Sequence, residues 1–442
     1  MMDGVQPYGN IFCIPHRGNH IVYLPLPGVI LLANSIFVNL LYHALHGDKE
    51  AIVKLGVDSD FVVGVQESER MAAHLTHPRP LEEFAPTSVS LFLTNDCTLR
   101  CRYCYADGGT NNRQMPWEMV DGILTSVAKN VVRLQLPQMG VHFHGGGDVS
   151  AAWPLVVRTR KHLHDLTTSH QIKSITSIGL NGILNSEQQR WIVDNIDSAT
   201  VSLDGPPVIH DSQRPFPNGQ ASFPAVHQTL KAFDAARYPY AIRTTVTSES
   251  VNHLEEIVSF FCENYEVKRI KCEPMYPRGR GLQRLLHAPD AVTFVEQFRK
   301  ARALANQAGR ELTYSGARLE VLTNVFCQAA GNSCAVTPEG WVTSCYEVLN
   351  PGDPFAEVFF YGRFNPVLQK FEIDEERRKR LSGLSVLNKP FCARCFCQWH
   401  CAGDCPVKSL HAERSPSDGI PDRCYISREL TKDQLIEAVE NA

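Results

Sequence analysis

Three closely spaced cysteines are the first residues of the chain whose types and spacing indicate chemistry. Cys97, Cys101 and Cys104 follow an apolar stretch in the spacing C-x3-C-x2-C. Three thiolates leave one iron of a four-iron cubane without a protein ligand. An open coordination position is typical of catalytic metal centres, whereas structural centres are closed. The spacing therefore predicts a catalytic 4Fe–4S site, and a zinc loop with a distant fourth ligand is the alternative.

A second and larger set of cysteines lies in the carboxy-terminal third of the chain. Its densest part has the spacing C-x2-C-x5-C-x3-C, and the whole set is Cys327, Cys334, Cys345, Cys392, Cys395, Cys401, Cys405 and Cys424. Gly340 lies five positions before Cys345, and Cys397 interrupts the dense part as a possible substitute for Cys395 or Cys401. Without an export signal, clustered cysteines favour metal over disulfides. An eight-ligand zinc region is the alternative for this set.

The overall composition excludes several classes of function. The chain has 442 residues, 43% of them hydrophobic and 20% charged, and a net charge of −4. No basic excess or polybasic run indicates nucleic acid or a membrane surface as a partner. The apolar run 22–32 contains two prolines, is too short to span a bilayer and lacks the basic flank of a signal peptide. The sequence predicts a cytoplasmic protein of two or three domains.

Alternating strand and helix patterns must position these cysteines. Strands are predicted near 88–94, 140–144, 173–179, 199–203, 240–247 and 268–273, and helices near 116–133, 151–168, 186–194, 222–236, 251–264 and 287–308. Six strand–helix units in series imply parallel strands with right-handed crossovers, in an open α/β sheet or part of a barrel. In both architectures, ligands bind at the carboxyl ends of the strands.

The pattern changes on both sides of this alternating region, which predicts domains at 1–86, 87–310 and 311–442. Short apolar stretches at 11–14, 21–24 and 29–32 precede a helical pattern over 35–45, so the first domain is predicted to be α+β. The proline-rich segment 76–86 is predicted to be a linker. Residues 320–430 are rich in Cys, Gly and Pro, as expected for a region held by metal rather than by a large apolar core.

Two further motifs follow predicted strands. The string His-Gly-Gly-Gly-Asp ends the second strand, and its glycines, Gly145, Gly146 and Gly147, let the backbone approach a ligand closely. The string Ser-Leu-Asp-Gly-Pro ends the fourth strand and is followed by His210, Asp211 and Arg214. Both motifs are predicted to lie at the same edge of the sheet as the three cysteines.

The cysteine spacing, with the aromatic Tyr103 before the last cysteine, resembles that of the radical S-adenosylmethionine (SAM) superfamily. The resemblance implies a partial (β/α)6 TIM barrel whose cluster binds SAM and cleaves it reductively to a 5′-deoxyadenosyl radical. The residues that it assigns to SAM binding are Tyr103, Gly145, Gly146, Gly147, Asp148, Ser202, Asp204 and Arg214. Asp148 departs from the family pattern, in which the acid is usually Glu, so its side chain is one methylene shorter.

The carboxy-terminal cysteines resemble the SPASM (twitch-type) extension, which carries two auxiliary 4Fe–4S clusters. The resemblance assigns Cys327, Cys334, Cys345 and Cys405 to the first auxiliary cluster and Cys392, Cys395, Cys401 and Cys424 to the second. Four cysteines per cluster leave no open iron, so both clusters are expected to be structural or electron-carrying. The implied cofactors are three 4Fe–4S clusters and SAM.

The same resemblance favours maturation of a ribosomally made peptide, an oxidoreductase-type modification such as a crosslink, thioether or epimerised centre. Anaerobic sulfatase maturation is the alternative, but such enzymes carry Asp directly after the GX4C cysteine, where this chain has Tyr346 and then Glu347. An iron–sulfur electron-transfer protein is the alternative of another class. Such a protein would need no SAM motifs, so the glycine-rich string and the Ser202 string argue against it. The expected partners are a peptide or protein substrate and an electron donor such as flavodoxin or ferredoxin. The amino-terminal unit either binds a leader peptide by strand addition or is a structural cap.

Overall fold

The computed structural model of the chain describes residues 5–77, 82–331, 333–411 and 422–441. Part of the predicted linker at 76–86 therefore lies outside the described residues. The chain divides into two compact units. The first unit comprises 1–80, 315–327 and 382–442, and the second comprises 81–314 and 328–381. The functional division at residues 86 and 310 stays a prediction.

The amino-terminal part of the first unit is a small antiparallel sheet followed by three helices. The strands, in sheet order, are β1 (Gln6–Tyr8), β2 (Ile11–His16), β3 (Asn19–Leu24) and β4 (Val29–Ala33). The helices are α1 (Ser35–Leu45), α2 (Lys49–Leu55) and α3 (Ser59–Met71). Arg17 and Gly18 join β2 to β3 with positive φ angles of 46° and 79°, as a tight hairpin requires. Asn34 begins α1 by accepting a hydrogen bond from the N–H of Phe37.

The second unit is built on a sheet whose first seven strands are parallel. These strands are β5 (Ser88–Leu91), β6 (Gln138–Phe143), β7 (Lys173–Leu180), β8 (Ser198–Ser202), β9 (Tyr240–Val246), β10 (Arg269–Pro274) and β11 (Glu311–Thr313). They lie side by side in chain order. The mixed α/β class with a large parallel sheet, which the sequence predicted, is therefore confirmed.

Helices connect these parallel strands and cover their apolar side chains. They are α4 (Trp117–Arg133), α5 (Trp153–Ser169), α6 (Ser186–Asn195), α7 (Pro207–Gln213), α8 (Phe223–Ala235), α9 (Leu254–Asn264), α10 (Gly279–Gln283) and α11 (Ala291–Gln307). The apolar stripe of α4, which includes Ile123, Leu124 and Val127, is fully buried. Short 3₁₀ helices occur at Ala72–Leu75, Val149–Ala152, Val251–His253, Val386–Asn388 and Pro390–Cys392.

The parallel sheet continues into an extension that the sequence patterns did not predict. The added elements are β12 (Ala335–Val336), β13 (Trp341–Thr343), α12 (Ala356–Phe359), β14 (Phe360–Asn365), β15 (Lys370–Ile373) and α13 (Glu375–Ser382). β12 pairs with β5 in parallel, and the later strands pair antiparallel to one another. Phe359, Tyr361 and Phe364 are fully buried. This segment therefore buries aromatic side chains, so its packing includes apolar contacts that the sequence patterns did not predict.

The carboxy-terminal part of the first unit adds α14 (Gln398–Cys401), α15 (Pro406–His411) and α16 (Asp422–Glu440). Within this unit, Leu435 of α16 and Phe396 pack against Phe12, Ile21 and Tyr23 of the small sheet. The unit thus brings together segments from both ends of the chain. Across the described residues, none of the helices is long and apolar enough to cross a membrane.

Candidate active site

The predicted site residues of the second unit gather at the carboxyl ends of its parallel strands. The loop 92–109, which carries the three cysteines, follows β5, and the glycine motif follows β6. Asn181 directly follows β7, and Asp204 lies two residues beyond β8. This edge is where ligands bind in parallel α/β sheets.

The cysteine loop is held by hydrogen bonds to its own backbone. The guanidinium of Arg100 donates to the carbonyl oxygens of Cys97 and Gly109, each at 2.7 Å. Gly108 lies near the end of the loop, and its N–H points at the sulfur of Cys104 at 3.4 Å. Cys101 is buried, and Cys97 and Cys104 are half-buried. The three thiols are therefore presented from one short, ordered loop.

The environment of these thiols fits an iron–sulfur cluster. Burial, with Asp148 and the other two thiols as weaker causes, raises the pKa of Cys97 to about 12, and burial raises that of Cys101 to about 11. A metal removes this cost because a coordinating thiol is deprotonated outright. Amide N–H groups directed at the sulfurs of Cys97 and Cys104 are the hydrogen bonds that tune such clusters. When bound, the cluster would be held by Cys97, Cys101 and Cys104.

The described side chains do not form a site for a single metal ion. Among the described residues, no group of three or more His, Cys, Asp or Glu side chains is placed to share one metal ion. A cubane differs from such a site because each thiolate binds a separate iron.

The glycine motif lies directly against the cysteine loop. The N–H groups of Gly147 and Asp148 donate to the carbonyl oxygens of Thr94 and Asp96 at 2.9 and 2.8 Å. A Cβ atom on Gly147 would lie 1.7 Å from the carbonyl oxygen of Asp96, and one on Gly146 would lie 2.8 Å from that of Thr94. These glycines are therefore required for the approach of the cysteine loop, in addition to any role at the ligand.

Asp148 is buried and already has several hydrogen-bond partners. One carboxylate oxygen accepts from the backbone N–H and the hydroxyl of Ser150 at 3.0 and 2.5 Å. The other accepts from the backbone N–H of Asn181 at 2.6 Å. Burial raises the pKa of Asp148 even though these hydrogen bonds oppose the shift. Asp148 thus joins the loops after β6 and β7, and its contact with SAM stays a prediction.

Asn181 is a site residue that the sequence patterns missed. Its side-chain amide donates to the hydroxyl of Thr98 at 2.8 Å and points at the sulfur of Cys97 at 3.8 Å. The available signal was a polar residue directly after a predicted strand, at the same edge as the cysteines.

Tyr103, Asp204 and Arg214 form a hydrogen-bonded triad beside the cysteines, in which Asp204 and Arg214 are buried and Tyr103 is half-buried. The phenol of Tyr103 donates to the carboxylate of Asp204 at 2.6 Å and accepts from the guanidinium of Arg214 at 2.6 Å. Burial raises the pKa of Asp204, with Arg214 opposing. Burial alone would lower the pKa of Arg214, but Cys101, Tyr103 and Asp204 raise it well above its usual value. Within the described chain, Nε of Arg214 has no hydrogen-bond partner.

Ser202, the last residue of β8, is half-buried and is paired in register with Arg243 of β9. Arg243 is exposed, and its charge lowers the pKa of His144, although burial is the larger cause. The assignment of Ser202, Asp204 and Arg214 to SAM stays a prediction.

The residues after Cys345 also lie within the second unit. The ring of Tyr346 packs against those of Phe92 and His144, with centroids 5.6 and 4.9 Å apart, and its hydroxyl hydrogen-bonds the hydroxyl of Ser90. The carboxylate of Glu347 lies 3.9 Å from the guanidinium of Arg278. Tyr346 therefore packs among rings, and the nearest acid in the sequence is one position later.

The predicted auxiliary ligands are distributed over both units. Cys327 and Cys405 belong to the first unit and Cys334 and Cys345 to the second, so this ligand set stays a prediction. Cys392, Cys395, Cys401 and Cys424 all belong to the first unit. Cys395, Cys397 and Cys401 border one apolar cluster, whereas Cys392 packs in another with Leu26 and Trp399. A hydrogen bond from Cys397 lowers the pKa of Cys395, which places Cys397 beside a predicted ligand.

Comparison with known proteins confirms the predicted resemblance to radical SAM maturases. The cysteine-type anaerobic sulfatase-maturating enzyme of Clostridium perfringens is 27% identical over 212 residues, which are 46% of this chain and 56% of that protein. The chain thus spans about half the length of the curated relatives it matches. No protein-family model matches the chain.

Two solved proteins share the fold. The structure of anSMEcpe with bound AdoMet and the Cp18Cys peptide has a TM-score of 0.60 and 16% identity, and covers 80% of this chain and 99% of that one. The structure of Streptococcus suis SuiB bound to S-adenosylmethionine has a TM-score of 0.55 and 15% identity, and covers 94% and 98%. At these identities the likeness is one of fold.

Proposed function

We propose that the chain is a radical SAM enzyme that modifies a ribosomally made peptide by installing a crosslink, a thioether or another side-chain or backbone change. The observation that supports this most is the ordered loop after β5, whose three thiols lie beside the glycine motif and the Tyr103 triad. When bound, the cluster and SAM would supply a radical that abstracts a hydrogen atom from the substrate.

The side chains around the loop have distinct proposed roles. Cys97, Cys101 and Cys104 bind the cluster, and Asn181 orients the loop through Thr98. Tyr103 fixes Arg214 beside Asp204, and the free Nε of Arg214 is available to a polar group of SAM or substrate. The partial barrel, the SPASM cysteines with their two auxiliary clusters, and an external electron donor such as flavodoxin or ferredoxin belong to the same proposal.

Sulfatase maturation is the second candidate because named relatives are anaerobic sulfatase-maturating enzymes. The segment after Cys345 favours modification of a ribosomally made peptide over sulfatase maturation. Tyr346 occupies the position of the proton acceptor, and its hydroxyl is bonded to Ser90. Glu347 is the nearest acid in the sequence, and its carboxylate lies 3.9 Å from the guanidinium of Arg278, which also pairs with Asp353 at 2.5 Å.

The amino-terminal domain also favours a peptide substrate. An alignment with SuiB that covers 94% of the chain must include most of the first 77 residues. β4 is an edge strand of the small sheet, and Leu32 on it and Ile36 just after it are 51% and 72% exposed. An extended leader segment could pair with such an edge and cover these side chains. A structural cap remains the alternative.

Reductive cleavage of SAM tests the proposal. Protein reconstituted anaerobically with iron and sulfide, then reduced with dithionite, should convert SAM to 5′-deoxyadenosine and methionine. A variant with Cys97, Cys101 and Cys104 all changed to Ala should form none. If wild type forms no 5′-deoxyadenosine, or if the triple variant retains cleavage, the assignment is wrong. Mass spectrometry after incubation with a cysteine-containing sulfatase peptide distinguishes the second candidate, since that activity would yield formylglycine.

A further inference from the structure

A short segment after β10 lies against the cysteine loop, although no sequence motif marked it. Residues 277–284 have the sequence Pro-Arg-Gly-Arg-Gly-Leu-Gln-Arg and include α10. Gly279 has a φ of 49°, and a Cβ atom there would lie 2.5 and 2.6 Å from the carbonyl oxygens of Tyr105 and Cys104. The N–H of Arg280 donates to the carbonyl oxygen of Cys104 at 2.9 Å. We call residues 277–284 the arginine strap.

Arg280 makes the closest side-chain contacts of the arginine strap with the loop. Its guanidinium is buried and donates to the carbonyl oxygens of Cys101 and Gly108 at 3.1 and 2.9 Å. It also forms an ion pair with Asp107 at 2.9 Å. The two carbonyls belong to residues on either side of Cys104. The side chain therefore fixes the part of the loop that carries two of the three thiols.

The charge of Arg280 lies beside the cysteine loop. Its guanidinium donates to the carbonyl oxygen of Cys101 at 3.1 Å, and its backbone N–H donates to that of Cys104 at 2.9 Å. A reduced cluster carries one more negative charge than an oxidised one, and its potential depends on nearby charge, hydrogen bonds and solvent exposure. A buried cation is weakly screened, whereas its counterion Asp107 has a side chain that is 32% exposed. The net effect of the pair should favour the reduced cluster.

We propose that Arg280 is a positioning residue that orders the cysteine loop. It also raises the reduction potential of the cluster that Cys97, Cys101 and Cys104 would bind. This inference rests on the proposed function, because it requires that the loop bind the cluster. In the step concerned, the oxidised cluster takes up one electron from the reductant and no bond is broken. Arg280 favours this uptake by placing its positive charge beside Cys101.

Three variants of the full-length protein test the inference. Arg280→Gln removes the charge and retains a donor, and Asp107→Asn removes the counterion. Asn suits the positive φ of 52° at position 107. Arg284→Gln removes an exposed arginine of the same strap and is the matched control. Each protein is reconstituted, and the electron paramagnetic resonance signal that responds to added SAM is followed in a potentiometric titration with dithionite.

Arg280→Gln should lower the one-electron equilibrium constant for reduction about tenfold, which corresponds to about 59 mV. Asp107→Asn should shift the potential in the opposite direction, and Arg284→Gln should leave it unchanged. A merely structural role would not give shifts of opposite sign. If Arg280→Gln takes up no cluster, the reduction potential of Asp107→Asn tests the inference by itself. A potential in Asp107→Asn that is equal to or lower than that of wild type overturns the inference. Wild type without a SAM-responsive signal would instead contradict the proposed function.

Discussion

The loop with Cys97, Cys101 and Cys104 and the cysteines around Cys397 lie in different kinds of surroundings. In the second unit, the loop with Cys97, Cys101 and Cys104 is contacted by Asn181, Arg280 and the Tyr103 triad. In the first unit, the apolar cluster around Cys397 and Cys401 contains Phe12, Ile21 and Leu435. Cys97, Cys101 and Cys104 therefore have polar and charged neighbours of the kind that would tune a redox centre. Cys397 and Cys401 border an apolar cluster, although Thr431 and Asp404 also lie near them.

This difference separates two uses of the same side chain. Thiols among hydrogen-bond donors at strand ends suit a cluster that exchanges electrons and binds a ligand. Thiols among aliphatic and aromatic side chains suit a cluster that contributes folding free energy when it binds. Changes around Cys97, Cys101 and Cys104 should therefore affect both chemistry and stability, whereas changes around Cys397 and Cys401 should affect stability first.

Removing a predicted cluster ligand near Cys397 should have the largest effect. This effect should be confined to the first unit. Cys401→Ala should remove the second auxiliary cluster, about four of roughly twelve irons, and should destabilise the first unit, because Cys401 is 8% exposed in its core. Iron analysis and the SAM-responsive resonance signal measure the two regions separately. Cys262→Ala, at a position with no predicted ligand role, is the control. Unchanged iron in Cys401→Ala would refute the ligand assignment.

Removing Asp204 should leave the buried charge of Arg214 poorly compensated. Asp204 is fully buried and bonded to Tyr103, which in turn accepts from Arg214. Breaking a buried charged network by removing one partner costs roughly 3–5 kcal/mol. Anaerobic urea unfolding of Asp204→Ala measures this cost, and Asp165→Asn, in an exposed pair with Lys161, should leave the midpoint unchanged. Equal midpoints for both variants would show that the triad does not stabilise the second unit.

Gly147→Ala should reduce SAM cleavage, whereas Gly64→Ala should increase the stability of the protein. The added methyl group at position 147 would collide with the Asp96 carbonyl, so the cysteine loop must shift and SAM cleavage should fall at least about tenfold. Gly64 lies within α3 with nothing near its missing Cβ, and Ala there should stabilise the helix by about 1 kcal/mol. Rates of 5′-deoxyadenosine formation and urea midpoints report the two effects. A fully active Gly147→Ala protein would contradict the close packing.

A smaller effect should appear as a pH dependence. Burial lowers the pKa of His144 to about 4, and among the described residues its Nδ1 has no partner. The unfolded side chain titrates near 6.5, so the unfolded chain binds more protons between pH 6.5 and 4. The free energy of unfolding should therefore fall as the pH falls through this window. His144→Phe should reduce that slope in urea midpoints measured at pH 7 and 5, and an unchanged slope would contradict this account.

His400 provides the comparison in the first unit. Burial lowers its pKa as well, but its ring hydrogen-bonds Tyr23 and the carbonyl oxygen of Val321. Replacing His400 by Phe should therefore lower the urea midpoint at both pH values, because two hydrogen bonds are lost. A midpoint that falls only at pH 5 would show that its charge, and not these bonds, determines its contribution.

The sequence predicted six of the seven parallel strands closely because each of them alternates with an amphipathic helix. The strand expected at 240–247, for example, is Tyr240–Val246. β11 (Glu311–Thr313), which is only three residues long, was not predicted. The strands β12–β15 were not predicted, since they are two to six residues long and lie among cysteines, glycines and prolines that carry no clear period.

The candidate site was predicted where the sequence has closely spaced motifs and missed where contacts join distant residues. The cysteine spacing and the glycine motif are local patterns. Arg280, by contrast, meets the carbonyl of Cys101 across 179 positions, and Asn181 meets the sulfur of Cys97 across 84. Gly147 also shows a limit of local interpretation, because ligand approach explained its type while packing against Asp96 requires it.

The response of the resonance signals to SAM tests the central claim most directly. We expect reduced wild-type protein to show one signal that changes when SAM is added, since only the loop with Cys97, Cys101 and Cys104 leaves an iron open. The variant with these three cysteines changed to Ala should retain the remaining signals, and none should respond to SAM. A SAM-dependent change that persists in the triple variant would contradict the account.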